Sequence, residues 1–262
     1  MLDDIIDAAL TAGDAIMTIY AREDFGERAK SDGSPVTEAD GKAEEIILAA
    51  LARIAPDIPV IAEESVSAGR IPAIGARFFL VDPLDGTKEF LNRNGDFTVN
   101  IALIEDGVPV SGVVFAPAYG EVFAGEKNKG ARRTKLHSGR PGPWSDLRVR
   151  SAPADGLNVV ASRSHMSPET KDFIDRFKVA QLIAAGSSLK FCRVAGGEAD
   201  LYPRMGRTME WDTAAGDAVL RAAGGAVRTL DGSPLAYGKR DQAGDADFAN
   251  PWFVASGPFN PF

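Results

Sequence analysis

Ala76-Arg77-Phe78-Phe79-Leu80-Val81-Asp82-Pro83-Leu84-Asp85-Gly86 is a nearly continuous apolar run that stops at a proline-containing turn between two acids. An apolar run of this length, bounded by turn formers, reads as a buried strand. A strand normally ends in neutral turn residues. Here Asp82 and Asp85 flank a backbone bent by Pro83, a spacing that lets both carboxylates converge on one point and leaves the Leu84 carbonyl free as a further oxygen ligand. Hard divalent cations such as Mg²⁺ take oxygen clusters of this kind. An Asp-rich turn accounts for the same letters, because Asp-Pro and Asp-Gly are both turn signals. The segment by itself leaves the two readings open.

Working outward, "IPVIAEES" (58–65) is a shorter apolar strand running into Glu63 and Glu64. Alone, that pair reads as surface charge; beside a second strand end that also delivers acids it becomes a candidate partner of Asp82 and Asp85. Further upstream, Ile5, Ile6, Ala9, Leu10, Gly13, Ile16, Met17 and Tyr20 form one helical stripe. Thr37 precedes Asp40 by three, a capping-box pattern opening a second amphipathic helix through Ile46, Ile47, Leu51 and Ile54, which Pro56 helps to end. Downstream, "DFTVNIALIEDGVPVSGVVFAPAYGEVFAGEKNKGA" predicts three strands joined by turns. The basic, Pro/Gly-rich residues 126–144 read as an exposed loop, and 137–153 as a candidate boundary, part of which can pair as an edge strand.

The second half alternates. "LNVVASRSH" is a strand, "SPETKDFIDRF" a helix, and "VAQLIAAGSSLKFCRVAGGEADLYPRM" a strand, turn, helix and strand. "WDTAAGDAVLRAAGGAVRTLDGSPL" is a helix ended by Gly-Gly, then a strand and a turn. An α+β part, residues 1–150, followed by an α/β part, residues 151–262, is the expected organisation.

Composition narrows the function. The 262 residues include one Cys, which excludes an internal disulfide, and two His, which excludes a three-histidine zinc site within one chain. The 29 basic and 37 acidic residues give a net charge of −8, against the positive field a nucleic-acid polymer requires. A small anionic substrate remains compatible, since bound cations reverse the local field. No uncharged apolar stretch is long enough to span a membrane, and the acidic start is unlike a basic signal peptide, so a cytoplasmic protein is expected. Monomer and homodimer both fit. Walker A, G-x-G-x-x-G, C-x-x-C, H-E-x-x-H and G-x-S-x-G patterns are all missing, and metal-assisted transfer to water is the chemistry left standing.

The remaining candidates each have a plain alternative. Asp212, at a helix start, is a first-turn acid or a ligand to a further cation. Asp40 closes the capping box or accepts the proton of the Thr87 hydroxyl. "ASRSH", with Ser162, Arg163, Ser164 and His165, is an anion contact or a solvated loop. Ser187 in "GSS", ahead of a helix carrying Lys190, suggests a helix-terminus anion site. Cys192, set in a helical pattern, reads as a core thiol.

"AEES", "DPLDGTKEF" and "WDTAAGDA", in this order and spacing, resemble the lithium-sensitive, magnesium-dependent inositol monophosphatase superfamily. "VVASRSH", "GSSLKFCRVAGGEADLYPR" and Lys88-Glu89-Phe90, where inositol monophosphatases usually read Thr-Asn-Phe, are similar to its bacterial 3'(2'),5'-bisphosphate nucleotidase branch. The resemblance implies a layered αβαβα sandwich. It places two or three Mg²⁺ ions among Glu63, Asp82, the Leu84 carbonyl, Asp85 and Asp212. Asp40 and Thr87, with Glu63, match the groups that activate water, and Gly86 and Thr87 those that touch the reacting phosphate. Lys88, Ser162, Arg163, Ser164, His165, Ser187, Lys190 and Glu210 match the region that meets the rest of the substrate. That substrate is a small phosphorylated nucleotide, 3'-phosphoadenosine 5'-phosphate, cleaved to AMP and phosphate. Inositol phosphates and sugar bisphosphates are the alternatives within the superfamily. Ala62 departs from the Gly common before the first acid.

Overall fold

The computed structural model describes residues 1–30, 33–161 and 166–262. The chain opens with α1 (Leu2–Tyr20), which buries Ile5, Ile6, Ala9, Gly13 and Ile16 of the expected stripe. Strands β1 (Arg28–Ala29) and β2 (Pro35–Val36) pair antiparallel and lead into α2 (Glu38–Ile54). The capping box is present: Thr37 Oγ1 accepts from the Ala39 N–H, and Asp40 Oδ2 accepts from the Thr37 N–H at 2.7 Å. Strand β3 (Val60–Ala62) runs directly into the short helix α3 (Glu63–Ser67), so Glu63 and Glu64 follow the strand as expected and also form a first helical turn.

Strand β4 (Arg77–Asp85) and helix α4 (Thr87–Leu91) precede the meander β5 (Thr98–Glu105), β6 (Val108–Ala116), β7 (Glu121–Glu126) and β8 (Gly130–His137). Strands β9 (Arg140–Pro141) and β10 (Ser145–Leu147) both pair with β8. This corrects the expectation of an exposed loop over 126–144. Ala131 and Thr134 point inward from β8 while its charged residues face solvent, and the charges hide the strand period from a reading by composition.

The second half supplies β11 (Leu157–Ala161), α5 (Pro168–Ile174), β12 (Val179–Ala184), α6 (Leu189–Ala195), β13 (Leu201–Arg204), α7 (Glu210–Ala222) and β14 (Ala226–Thr229). A last strand, β15 (Phe253–Ser256), was not expected. It inserts antiparallel between β13 and β14, so the sheet β12-β11-β13-β15-β14 is mixed.

The layers follow from which faces are apolar. In the eight-stranded sheet, Phe79 and Val81 of β4 meet the core beneath α1 and α2, whereas Phe78 and Leu80 meet the core beneath α6 and α7. A strand buried on both faces has no polar side to show, hence the unbroken apolar run. Gly112 on β6 lets α7 lie directly on the sheet, since a Cβ there would come within 2.7 Å of the Ala215 carbonyl oxygen. The five-stranded sheet lies beyond α6 and α7, and α5 closes its far face around Leu157, Val159, Phe173 and Leu201. The result is the expected αβαβα sandwich. Among the described residues no helix is long and apolar enough to cross a membrane.

Candidate active site

Two adjacent strand ends build the acidic centre. Strands β3 and β4 run parallel, with Ala62 beside Val81, so the next residues, Glu63 just past the end of β3 and Asp82 within β4, stand side by side. On its other side β4 pairs antiparallel with β5 as far as Asp82–Asn100, then slips to Asp85–Thr98. The additional residue on β4 is a bulge, a natural consequence of a proline that has no N–H to give the ladder. Leu84 falls inside this bulge: its N–H donates to Asp82 Oδ1 at 3.0 Å, and its carbonyl receives a long 3.4 Å bond from Thr87 Oγ1.

Asp40 serves both roles that the sequence left open. Its Oδ2 accepts from the Thr37 N–H and Thr37 Oγ1, each at 2.7 Å, while Oδ1 accepts from Thr87 Oγ1 at 3.0 Å. The cap thus aims the carboxylate at Thr87. One helical turn on, buried Glu44 accepts from the Glu64 N–H at 2.8 Å and Ser65 Oγ at 2.6 Å, which fixes the start of α3.

Asp212 arrives from α7, where its Oδ2 accepts from the Met209 N–H at 2.8 Å. Burial raises the pKa of Asp82 well above the ordinary carboxylate value, and the charges of Glu63, Asp85 and Asp212 push the same way. Asp212 is raised for the same reasons, by burial and then by Asp85 and Glu63. Burial pushes Asp85 up to about 6, with Lys190 acting in the opposite sense. Asp40 is also raised, chiefly by burial, against the bonds from Thr37 and Thr87. Buried acids that raise one another in this way sit in a strongly negative field and gain most from a cation.

The convergence expected of these acids is incomplete. No three of the described His, Cys, Asp and Glu side chains gather closely enough to enclose a metal ion as they stand. Glu63 Oε1 is engaged instead by Lys30 Nζ at 2.6 Å, and the same ammonium bonds Glu64 Oε1 at 2.6 Å. A cationic head already resting on these oxygens, together with an all-oxygen donor set, fits a hard divalent cation.

Asp85 and Asp212 open onto a cleft of about 160 Å³ whose other walls include Lys88, Ser187, Lys190 and Arg204. Lys190 is buried, with Nζ over the Tyr202 ring at 5.6 Å, and burial lowers its pKa to about 8. Arg204, at the end of β13, has a buried Nε without a hydrogen-bond partner among the described residues. Lys88 is exposed at the rim. Sequence reasoning missed Arg204, Lys30, Glu44 and Asn100, whose Nδ2 donates to Asp85 Oδ2 at 3.3 Å. A signal existed for two of them: Asn100 interrupts an apolar strand, and Glu44 shares a helix face with Asp40.

Other expected contacts fall elsewhere. Glu210 is fully buried away from the cleft, its carboxylate accepting from the N–H groups of Gly238 at 2.6 Å and Lys239 at 2.8 Å. That pair of bonds ties α7 to the following loop and leaves the side chain nothing to offer a ligand. The helix-terminus anion site suggested at "GSSLK" is taken up internally, with Ser188 Oγ donating to the Asp212 carbonyl at 2.8 Å. Ser162, Arg163, Ser164 and His165 lie outside the described residues. Cys192 is a core thiol, as expected, and burial pushes its pKa up.

The model of the Inositol monophosphatase family matches residues 1–255. The chain belongs to the inositol monophosphatase family. Among curated relatives, the 3'(2'),5'-bisphosphate nucleotidase CysQ of Shigella flexneri is 44% identical over 257 residues, covering 98% of this chain and 99% of the relative. The protein of the same name from Escherichia coli strain K12 is 43% identical over the same shares. Among solved structures, CysQ from Bacteroides thetaiotaomicron superposes with a TM-score of 0.81 at 39% identity, covering 99% of this chain and 97% of that one. An IMPase from Thermotoga maritima gives 0.77 at 26% identity, covering 98% and 92%. The family places this sandwich among phosphatases, and these near-full-length curated relatives carry the nucleotidase name.

Proposed function

We propose that this chain is a Mg²⁺-dependent 3'(2'),5'-bisphosphate nucleotidase that hydrolyses 3'-phosphoadenosine 5'-phosphate to AMP and phosphate. The observation that carries this reading is the juxtaposition of carboxylates whose charges push up one another's pKa, Asp82, Asp85 and Asp212, with a cationic wall. Lys190 and Arg204 line one cleft with Asp85 and Gly86. A monophosphate needs only the acid side of such a site; a second phosphate on the substrate explains cations placed beyond it. The near-full-length similarity to proteins named CysQ supports the same choice.

Glu63, Asp82, Asp85, Asp212 and the Leu84 carbonyl would hold Mg²⁺. When bound, Mg²⁺ neutralises charge on the transferring phosphate and makes water more acidic. The proton path belongs to the chain. Thr87 Oγ1 donates to Asp40 Oδ1, which leaves the lone pairs of the hydroxyl to accept a proton from the attacking water as its own proton passes to Asp40. The raised pKa of Asp40 makes it a stronger base for that task than an exposed carboxylate. Gly86 and Thr87 border the reacting phosphate, while Lys190, Arg204 and Lys88 bind the phosphate that is not cleaved. Cys192 is sealed in the core and is no candidate nucleophile, and we take the course to be direct attack by water without a phosphoenzyme.

The test is phosphate release by the purified protein with Mg²⁺, with 3'-phosphoadenosine 5'-phosphate, inositol 1-phosphate and fructose 1,6-bisphosphate compared side by side and EDTA as control. Strong preference for the nucleotide, abolished by EDTA, is expected. Preference for inositol 1-phosphate or the sugar bisphosphate would overturn the nucleotide reading while keeping the phosphatase.

A further inference from the structure

Ser187 holds a left-handed backbone, φ 48°, which a non-glycine residue keeps only where its surroundings enforce it. Its hydroxyl lies 2.8 Å from the carbonyl oxygen of Asp85 and 2.8 Å from that of Asp96. Asp85 and Asp96 stand before and after α4, in the first half of the chain; Ser187 comes from the turn between β12 and α6. The three turns meet backbone to backbone. A Cβ on Gly86, itself at φ 96°, would sit 2.4 Å from Ser187 Oγ, and one on Gly186 would sit 2.5 Å from Asp96 Cβ. Asp96 is anchored in turn, with Tyr119 Oη donating to its Oδ1 at 2.6 Å.

A serine hydroxyl has a single proton. Shared between two backbone carbonyls, it is not available to a phosphate oxygen, and the lone pairs that remain would repel one. The hydroxyl therefore suits fixing the turn better than binding an anionic substrate.

We propose that Ser187 is a positioning residue that latches the Asp85–Thr87 turn from the opposite half of the molecule and holds Asp85 ready for the cation. This rests on the reading of Asp85 as a metal ligand given above, and it replaces the expectation that Ser187 contacts substrate. It also links metal affinity to the docking of the two sheets, because the latch exists only when the β12–α6 turn is seated.

S187A removes the hydroxyl and keeps a Cβ at the same left-handed position. S187G removes the hydroxyl and relieves the backbone. The purified variants are titrated with Mg²⁺ by calorimetry, and their melting temperatures, kcat and KM are measured. Both should bind Mg²⁺ roughly three- to tenfold more weakly, the worth of about one net hydrogen bond. KM at saturating Mg²⁺ should not change, and S187G should melt no lower than S187A. Unchanged Mg²⁺ affinity with a raised KM would make Ser187 a substrate contact and overturn the proposal. Wild-type affinity in S187G alone would trace the effect to backbone strain and overturn it too. D85N separates the two readings. If D85N binds Mg²⁺ like the wild type, the metal assignment fails; if D85N loses Mg²⁺ while both Ser187 variants retain it, only the latch fails.

Discussion

The turn Asp82–Thr87 is made of consecutive residues, whereas the wall facing it is assembled from Ser187, Lys190, Arg204 and Asp212, which several separate elements deliver. In the first, a bulge in one strand sets the spacing of the acids, and a contact from the other half, Ser187 on the Asp85 carbonyl, holds the turn. In the second, every distance depends on how the five-stranded sheet and α7 seat against the larger sheet. The difference separates chemistry from selectivity. Asp82 and Asp85 take their places from local backbone geometry, while Lys190 and Arg204, set by inter-sheet packing, can be retuned for another substrate with those acids left in place; Asp212 and Ser187 share the wall but serve the cation.

The comparison breaks most visibly on the acid side. Asp85→Asn should reduce kcat on the order of 10³-fold, since it removes a charge from the catalytic cluster. The fold should survive and even gain. With a pKa of about 6, Asp85 holds its proton in the folded state to a higher pH than in the unfolded chain, whose value is near 3.8. Stability therefore falls as pH rises through that window, and the Asn variant lacks this slope. A thermal melt in EDTA at pH 7 should place D85N at or above wild type; a large drop would show that the cluster is structural.

On the cationic side the effect should be smaller and selective. Arg204→Ala is expected to lower kcat/KM for 3'-phosphoadenosine 5'-phosphate roughly 10- to 100-fold, the usual cost of losing a charged hydrogen bond. Any hydrolysis of inositol 1-phosphate should stay within about twofold, because that substrate has no second phosphate for Arg204 to bind. Equal losses on both would place Arg204 with the chemistry and erase the distinction drawn here.

The mildest test uses pH. Lys190 titrates near 8, so its ammonium is present below that value and disappears above it. The kcat/KM of the wild type for the nucleotide should therefore decline above pH about 8, by as much as tenfold per unit. Replacement by Arg, which stays charged, should remove that decline. A Lys190→Arg profile that keeps it would assign the titration to another group.

Much of the acid side was legible in the letters. The apolar run ending at Asp82-Pro83-Leu84-Asp85 announces a buried strand, a break in its ladder and oxygen donors at that break. Thr37 and Asp40 announce a helix cap that also points a carboxylate. Arg204 was not legible, since an arginine at the end of "LYPR" looks like any solvated charge until β13 is seated behind α6. Glu210 misled for the opposite reason. The family resemblance suggested it, but Glu210 and Asp212, two residues apart on a helix, point to different faces, and the loop at Gly238 was there to receive Glu210. Strand β8 was obscured by its own lysines and arginines, which the outer side of a sheet tolerates.

What the sequence determined by itself is everything within reach of a few neighbouring residues: period, caps, the bulge and the acids it exposes, because these depend on backbone sterics and short hydrogen bonds. Which groups face those acids was settled by packing alone. Lys30 on Glu63, Ser187 on the Asp85 carbonyl and Arg204 across the cleft are contacts between segments far apart in the chain. They exist because burying both faces of the central sheet brings those segments together, and a contact that depends on two packed layers leaves no trace in the letters of either.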